Sequence, residues 1–334
     1  MLDEMEKRVG LEDLDFLGHG LSRPESVLAT RSGDVFVSHK SRGVVRICPD
    51  GTQYYLAGHT EHDGIPIVPN GIALRPDGSF LIANISDAGG LLKLDRTGVS
   101  LFHSCAAEGT PPPVNYVCLD PFGRVWFTVS SSFSPRSLAY RRNVMNGYVG
   151  MIEDGEMRIV LDDLHYTNEI CLDFERGWLY VAETFAQKVS RVPLSRDGIA
   201  GEKEDFVQLP KGAFVDGIEL DGEGGLLASC IVSNELFRIS PEGMFSVVIS
   251  ERDADWVSEV EKALDDGVMG RPHFDTVPTR TLRNISSCAF FGDRLDKLVC
   301  GNLLGAQLPV LPAPVGGRLP VHWHVDVPLW GEPF

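Results

Sequence analysis

Short apolar runs alternate with polar turns along almost the whole chain, and one sequence pattern occurs in six copies. In each copy an apolar run is followed by a glycine-containing turn and a second run rich in β-branched and aromatic residues. Residues 70–74, Asp77-Gly78 and residues 80–82 form one such copy. Short runs bounded by turn residues are typical of paired β-strands. The pattern therefore predicts a chain built from repeated β-hairpins.

The spacing of the copies predicts the architecture. They begin at residues 25, 70, 115, 168, 216 and about 286, so the steps are 45, 45, 53, 48 and about 70 residues. Each step also holds a second hairpin, and four strands in about 45 residues is the period of a β-propeller blade. We therefore predict an all-β fold, a six-bladed β-propeller with a central metal-binding channel, as one domain over residues 1–334. A strand within residues 10–20 is expected to close the ring.

Helical periodicity is concentrated in the long fifth step. Residues 253–264 place apolar side chains at 256, 257, 260, 263 and 264, which is the spacing of an amphipathic helix. We predict that residues 251–282 form an inserted, partly helical segment between strands. The segment is expected either to be a lid over one mouth of the channel or to pack on the edge of the ring.

The first position of each copy is polar. In a propeller the innermost strands line the channel, so these positions converge although they are distant in sequence. A structural strand would favour Val, Ile or Thr there, whereas this chain has carboxylates, amides and hydroxyls: Glu25, Asn70, Asn115, Asn168, Asp216 and Ser286 or Ser287. Mixed carboxylate and amide oxygens suit a hard divalent cation, Ca²⁺ or Mg²⁺.

A simpler explanation exists for part of this set. Asn or Asp before Gly makes an Asx turn at a strand entrance, which would explain Asn70-Gly71 and Asp216-Gly217. It does not explain Glu25, and it explains Asn115 and Asn168 less well. The metal interpretation is therefore preferred for Glu25, Asn115, Asn168 and Asp216.

Composition and charge restrict the classes of partner. The chain has 334 residues, of which 47 are acidic and 30 basic, for a net charge of −17. A surface this acidic repels phosphate backbones and anionic lipids, so neither nucleic acid nor a membrane is an expected partner. The N-terminal residues 1–15 lack the apolar core of a signal peptide. Seven widely spaced cysteines without a C-x-x-C motif are expected to be reduced thiols of a cytoplasmic protein.

Several of these features together resemble one family. Pro24-Glu25, Asn115 followed by residues 120–126 (DPFGRVW), Asn168, and residues 215–226 beginning Val215-Asp216-Gly217 occur in this order at blade spacing. The chain resembles the senescence marker protein (regucalcin)/gluconolactonase/luciferin-regenerating enzyme family from about residue 20 to 303. Each motif alone is weak, but four in order are fairly specific.

The resemblance implies an activity and a site. Family members are lactonases, mostly on sugar lactones, with one catalytic divalent ion; here Glu25, Asn115, Asn168 and Asp216 would hold it. Ca²⁺ is the expected ion, and Zn²⁺, Mn²⁺ and Mg²⁺ are also associated with the family. The ion would act as a Lewis acid, and the resemblance makes Asp216 the general base or nucleophile. Four further residues are expected to contact the lactone or ester substrate: Asn70, Tyr116, His165 and Tyr166.

The chain also departs from the pattern of the sugar lactonases. An Arg two residues before the second ligand is replaced by Pro113, and an Asp-Gly after it by Tyr116-Val117. We therefore expect a less basic pocket and a less polar lactone or ester than an aldonolactone.

Two other functions and two states of association remain open. The same metal could serve non-hydrolytic lyase or hydratase chemistry, or the chain could be a non-catalytic propeller that binds Ca²⁺ or a protein. The proline-rich segment 307–334 is expected either to pack on a neighbour in a homo-oligomer or to fold back on its own chain.

Overall fold

Six antiparallel sheets surround a central channel, and each sheet is one blade. The structure is a computed structural model that describes residues 8–56, 61–62, 64–106, 109–199 and 201–334. The first strand of every blade lies innermost, beside the first strands of the two neighbouring blades. These strands are joined directly: Gly71 N donates to Asn115 O at 2.9 Å, and Ser286 Oγ donates to Glu25 O at 3.0 Å. The predicted six-bladed propeller is confirmed.

The strands follow the predicted repeats. Blades 1 to 3 consist of Val27–Ala29, Val35–His39, Gly43–Ile47 and Gln53–Tyr55; Pro69–Leu74, Phe80–Asn84, Leu91–Asp95 and Gly98–His103; and Tyr116–Leu119, Val125–Val129, Gly147–Glu153 and Glu156–Leu164. Blades 4 to 6 consist of Thr167–Asp173, Trp178–Glu183, Lys188–Ser195, Gly198–Ile199 and Glu204–Gln208; Ala213–Leu220, Leu226–Val232, Glu235–Ile239 and Phe245–Ser250; and Ile285–Phe291, Lys297–Asn302 and Leu308–Pro312. A short ribbon pairs Glu61–His62 with Ile65–Pro66.

The ring is closed by a strand from the other end of the chain. Asp15–Leu17 pairs antiparallel with Leu308–Pro312 and becomes the outer strand of blade 6. This is the closing strand predicted within residues 10–20. Because both ends of the chain contribute to one sheet, the closure ties the first and last blades together.

The C-terminal segment folds back on its own chain. Glu332–Pro333 adds a fifth strand to blade 1, and the ring of Phe334 stacks on Tyr55 with 4.4 Å between centroids. Arg46 Nη1 donates to Val327 O at 2.8 Å. The segment thus packs on its own chain.

Helices are few among the described residues. The insertion forms Ala254–Asp265 and Pro272–Asp275, and single 3₁₀ turns occur at Leu11–Asp13, Arg136–Ala139 and Thr184–Ala186. Asp253 caps the first helix by accepting from Trp256 N at 2.8 Å. The apolar face of this helix packs in one cluster with Phe185 and Phe214 of blades 4 and 5. No helix in these ranges has the length and apolar character needed to cross a membrane.

Candidate metal centre

Four predicted ligands meet at one end of the channel. Glu25, Asn115, Asn168 and Asp216, from four different blades, line one cavity. Their exposed fractions are 7%, 4%, 5% and 4%. Carboxylates and amides at this depth require polar partners, because an unpaired buried polar group is costly.

Local irregularities of the inner strands position these side chains. The pairing register shifts between Thr167 and Ile170, and again between Val215 and Gly217. Asn168 and Asp216 therefore lie in β-bulges, which re-aim a side chain that regular pairing would direct elsewhere. Glu25 and Asn115 instead precede the first residue of their inner strands.

The glycines after Asn70 and Asp216 have a packing role. A Cβ atom on Gly71 would lie 2.7 Å from Tyr116 Cα, and one on Gly217 would lie 2.5 Å from Ser286 O. Neither glycine is among those with a positive φ. The close approach of neighbouring inner strands explains these two dipeptides. An Asx turn does not, because the backbone N atoms of Ile72 and Ile218 donate to Ser26 Oγ and Glu169 Oε2 instead.

Hydrogen bonds orient the amides. Asn70 Nδ2 donates to the backbone and side-chain oxygens of Asn115, both at 3.0 Å. Asn115 Nδ2 donates to Ser130 Oγ at 2.7 Å, and Asn168 Nδ2 donates to Thr184 Oγ1 at 3.3 Å and to Asp216 Oδ1. With the nitrogens engaged, the oxygens are the amide atoms left for a cation.

The cavity brings two buried carboxylates together with three arginines. Burial raises the pKa of Asp216 well above its usual value, and the nearby charge of Glu25 raises it further, while Arg23 and Arg271 oppose the shift. Arg23 Nη2 lies 2.5 Å from Glu25 Oε2 in an ion pair, but the angles are not those of a hydrogen bond, so that buried oxygen has no hydrogen-bond partner among the described residues. A cation between the two carboxylates would remove their repulsion.

The donor set fits a hard divalent ion. No group of three or more His, Cys, Asp or Glu side chains suited to a metal occurs in the described ranges. This cavity instead combines two carboxylates with two amides. Oxygen-only sets of this kind are typical of Ca²⁺ and Mg²⁺, whereas Zn²⁺ sites usually contain nitrogen or sulfur. Glu25 Oε2, which pairs with Arg23 but accepts no hydrogen bond from any described residue, is an atom that such an ion would coordinate.

Of the residues predicted to contact substrate, Tyr166 lines the cavity and Asn70 is bonded to a residue that lines it. Tyr166 has a positive φ of 53°, and its ring is held edge-on against Phe185 at 4.8 Å. Asn70 lies behind Asn115 and holds it by the two hydrogen bonds described above. Asn70 is therefore placed to orient the side chain of Asn115, one of the proposed metal ligands.

The other two lie elsewhere. Tyr116 lines a second cavity of about 410 Å³ at the opposite end of the inner strands, where Arg318 and His322 of the C-terminal segment cover the channel. Successive residues of a strand point to opposite sides, which separates Tyr116 from Asn115. The backbone N and the Nδ1 of His165 lie 2.8 and 3.0 Å from Glu183 Oε2. His165 thus faces the interior of blade 4, and neither residue lines the candidate metal centre.

Basic residues at the site escaped the sequence interpretation. Arg23, Arg136 and Arg271 all line the cavity. The expectation of a less basic pocket was wrong, because arginines from other parts of the chain replace the one missing at Pro113. Arg23 stands two residues before the predicted ligand Glu25, so its place in the sequence pointed to the site. Arg136 and Arg271 occupy no repeat position, so nothing in the sequence linked them to the site.

The sequence matches a described family over most of these blades. Residues 35–252 match the SMP-30/gluconolactonase/LRE-like region. The chain belongs to this family. The match covers more than half of the chain, and it confirms the resemblance drawn from the four motifs.

Known proteins share parts of the sequence and the whole fold. A 6-deoxy-6-sulfogluconolactonase from Pseudomonas putida is 26% identical over 181 residues, and the match covers 51% of this chain and 56% of that relative. A gluconolactonase from Xanthomonas campestris is 18% identical with a TM-score of 0.66, over 93% of both chains. Regucalcin from Agrobacterium tumefaciens, described as a calcium-binding protein, is 17% identical with a TM-score of 0.64, over 91% of this chain and 96% of its own.

Proposed function

We propose that the protein is a metal-dependent hydrolase that opens a lactone or a related ester ring. The observation that carries the proposal is the convergence of Glu25, Asn115, Asn168 and Asp216, from four blades, on one cavity. The family supports hydrolysis of a lactone, since two of the similar proteins are named as lactonases.

Glu25, Asn115, Asn168 and Asp216 would hold one divalent ion, and Ca²⁺ is the proposed one. Their oxygens form a hard donor set. When bound, such an ion supplies Lewis acidity to a carbonyl oxygen. Regucalcin, a structural neighbour, is described as calcium-binding.

Asp216 is proposed as the base. In ring opening, water adds to the carbonyl carbon, the bond from that carbon to the ring oxygen breaks, and the ring oxygen takes up a proton. Asp216 would accept the proton from water and return it to the leaving alkoxide, which balances the reaction to a hydroxy acid.

The remaining walls would hold the ring and limit water. Ile85, Ile231 and Leu303 give the cavity apolar surface, and Tyr140 and Phe274 add aromatic surface. The cavity itself, of about 30 Å³, has room for an ion. The ring would lie in the adjoining recess of about 580 Å³, which Ile85 and Leu303 also line, and its burial there would contribute binding through the hydrophobic effect. Tyr166, fixed by its aromatic neighbours, is proposed to contact the substrate.

A lactone panel tests the proposal. Metal-free protein, prepared with EDTA, is assayed on sugar, aliphatic and aromatic lactones before and after Ca²⁺, Mn²⁺, Zn²⁺ or Mg²⁺ is supplied. We expect hydrolysis only with metal, and a fall of about 100-fold or more in Asp216→Asn, as is usual when a base is removed. Asp197→Asn, on an exposed hairpin, is the matched control and should keep its activity. Tight metal binding without turnover of any lactone or ester would overturn the proposal.

A further inference from the structure

The mouth of the candidate metal centre is basic although the chain carries a net charge of −17. Arg23, Arg136 and Arg271 line the cavity that contains the four proposed ligands. The same three arginines, with Lys40 and Arg283, line an adjoining recess of about 580 Å³. Among the residues that the structure describes, Asp275 is the one acidic residue of that lining.

We infer that the substrate carries a fixed anionic group, a sulfonate, phosphate or carboxylate, in addition to the carbonyl that reacts, and that Arg136 and Arg271 bind this group in the recess. The inference rests on the proposed function and names the class of its substrate. It concerns the part of the substrate that does not react, because the recess contains none of the four proposed ligands.

The charges of these arginines are only partly balanced by the protein. Half-buried Arg136 makes no hydrogen bond or ion pair with any residue in the described ranges. Arg271 uses Nε and Nη2 on Asp275, at 3.1 and 2.9 Å, which leaves Nη1 for a ligand. The Asp275 side chain is 46% exposed, so water weakens the charge that it offers to Arg271.

Arg23 lies between the recess and the ligands. Its Nη2 contacts Glu25, and its buried Nε has no hydrogen-bond partner in the part of the chain that the structure describes. Arg136 and Arg271 lie close enough to Arg23 to repel its charge. The three positive charges repel one another, and an oxyanion would offset this repulsion while forming charge-assisted hydrogen bonds with their planar donor groups.

Another role for the arginines can be separated from this one. Every lactone yields a carboxylate, so arginines that only stabilised the developing or final acid would act equally on neutral and anionic substrates. Arginines that bind a fixed anion discriminate between them. The decisive quantity is therefore the ratio of kcat/KM for the anionic substrate to kcat/KM for the neutral one, not either value alone.

The test compares matched pairs on the metal-loaded full-length protein. The kcat/KM for δ-gluconolactone is measured beside its 6-phosphate and its 6-deoxy-6-sulfonate. We expect a preference of about 100-fold or more for one of the anionic forms, about tenfold from each of two charge-assisted arginine contacts. Arg136→Gln and Arg271→Gln should each reduce the preference about tenfold, mainly through KM, and Arg136→Lys should keep part of it. Arg294→Gln, which alters an arginine 85% exposed in its ion pair with Asp296, should leave the ratio unchanged.

A binding measurement separates failure of the anion-binding inference from failure of the proposed hydrolase activity. Calorimetry compares gluconate with 6-phosphogluconate on the same protein, without turnover. We expect the phosphate to strengthen binding about tenfold or more and Arg136→Gln to remove most of this gain. Equal binding of the two acids, binding of neither, or equal kcat/KM for neutral and anionic lactones overturns the inference. Selective binding of the phosphorylated acid without hydrolysis of any lactone supports the anion site and overturns the proposed hydrolase.

Discussion

Residues in equivalent repeat positions were predictable from the sequence, and residues in loops were not. Glu25, Asn115, Asn168 and Asp216 could be found because the first position of each inner strand recurs at blade spacing. Side chains that interrupt an apolar strand at a fixed register need a reason, and in the structure they meet at one cavity. Arg271 occupies no repeat position, so only the fold could bring it to the site.

The sequence alone does not decide why position 217 must be a glycine. The Asp216-Gly217 dipeptide is compatible with an Asx turn, whereas in the structure the missing side chain lets two inner strands approach. Gly217→Ala would place Cβ 2.5 Å from Ser286 O and 2.7 Å from Ser287 Cα. We expect it to lower the free energy of unfolding by about 2–3 kcal/mol, the usual cost of forcing atoms into a packed region.

Chemical denaturation of a matched pair measures this cost. Gly316→Ala is the control, because a Cβ atom there meets nothing within 4 Å, and it should change the free energy of unfolding by less than about 1 kcal/mol. Equal effects of the two substitutions would show that the contact between inner strands does not constrain Gly217.

At the scale of elements, the repeated hairpins were predicted well and the added strands were missed. The turn glycines at 33, 78, 123, 177 and 224 all have positive φ, as a tight turn between paired strands requires. Gly198–Ile199 and Glu332–Pro333 are two-residue strands whose pairing depends on neighbours distant in sequence. Nothing in a two-residue segment distinguishes such a strand from a loop.

The DPFGRVW motif that supported the family resemblance braces an inner hairpin of blade 3. Asp120 accepts from Arg124 Nε at 2.5 Å and from Trp126 Nε1 at 2.9 Å, and it also accepts from the backbone N of Phe122 at 2.9 Å. The side chains of Asp120 and Arg124 are 0% and 6% exposed. The role of the motif in this structure is to stabilise the turn of the hairpin, not to bind a ligand.

Asp120→Ala should therefore destabilise the fold strongly. Removing one partner of a buried ion pair typically costs about 3–5 kcal/mol, because the other charge stays buried without compensation. Asp296→Ala is the matched control: Asp296 pairs with Arg294, whose side chain is 85% exposed, and the expected loss is below about 1 kcal/mol. Urea unfolding followed by tryptophan fluorescence measures both, and a small loss for Asp120→Ala would contradict the proposed brace.

At the scale of the whole molecule, the two ends of the channel differ. One end holds the candidate metal centre, and the C-terminal segment covers the other. The sequence could predict the ring and its closing strand from repetition, but it left open where residues 307–334 would lie. Their position depends on contacts such as Arg318 Nη1 to Asp173 Oδ1 at 2.8 Å, which join residues from opposite parts of the chain.

His322 makes the cover sensitive to pH. Burial lowers the pKa of His322 to about 4 from an ordinary 6.5, and its Nε2 has no hydrogen-bond partner among the described residues. The folded protein therefore binds fewer protons than the unfolded chain between these pH values. The contribution of His322 to stability is complete above pH 6.5 and is lost as the pH falls toward 4.

His322→Gln should flatten this dependence. Between pH 4 and 6.5 the wild type should lose stability more steeply than the variant, by about 1.4 kcal/mol per pH unit for the one proton involved. Unfolding free energies measured across this range give the two slopes. His324→Gln, a neighbouring substitution of the same kind, is the control and should follow the wild type. Equal slopes for wild type and His322→Gln would contradict a buried neutral histidine.

The central claim is that side chains from four blades form one metal centre. Anomalous diffraction from crystals grown with Mn²⁺, an oxygen-seeking ion with a usable signal, tests it most directly. We predict one strong peak in the cavity within about 2.0–2.6 Å of an oxygen of each of Glu25, Asn115, Asn168 and Asp216. The peak should disappear in Asp216→Asn crystals. Absence of a peak at this position in the wild type, or a peak held by other residues, would contradict the account.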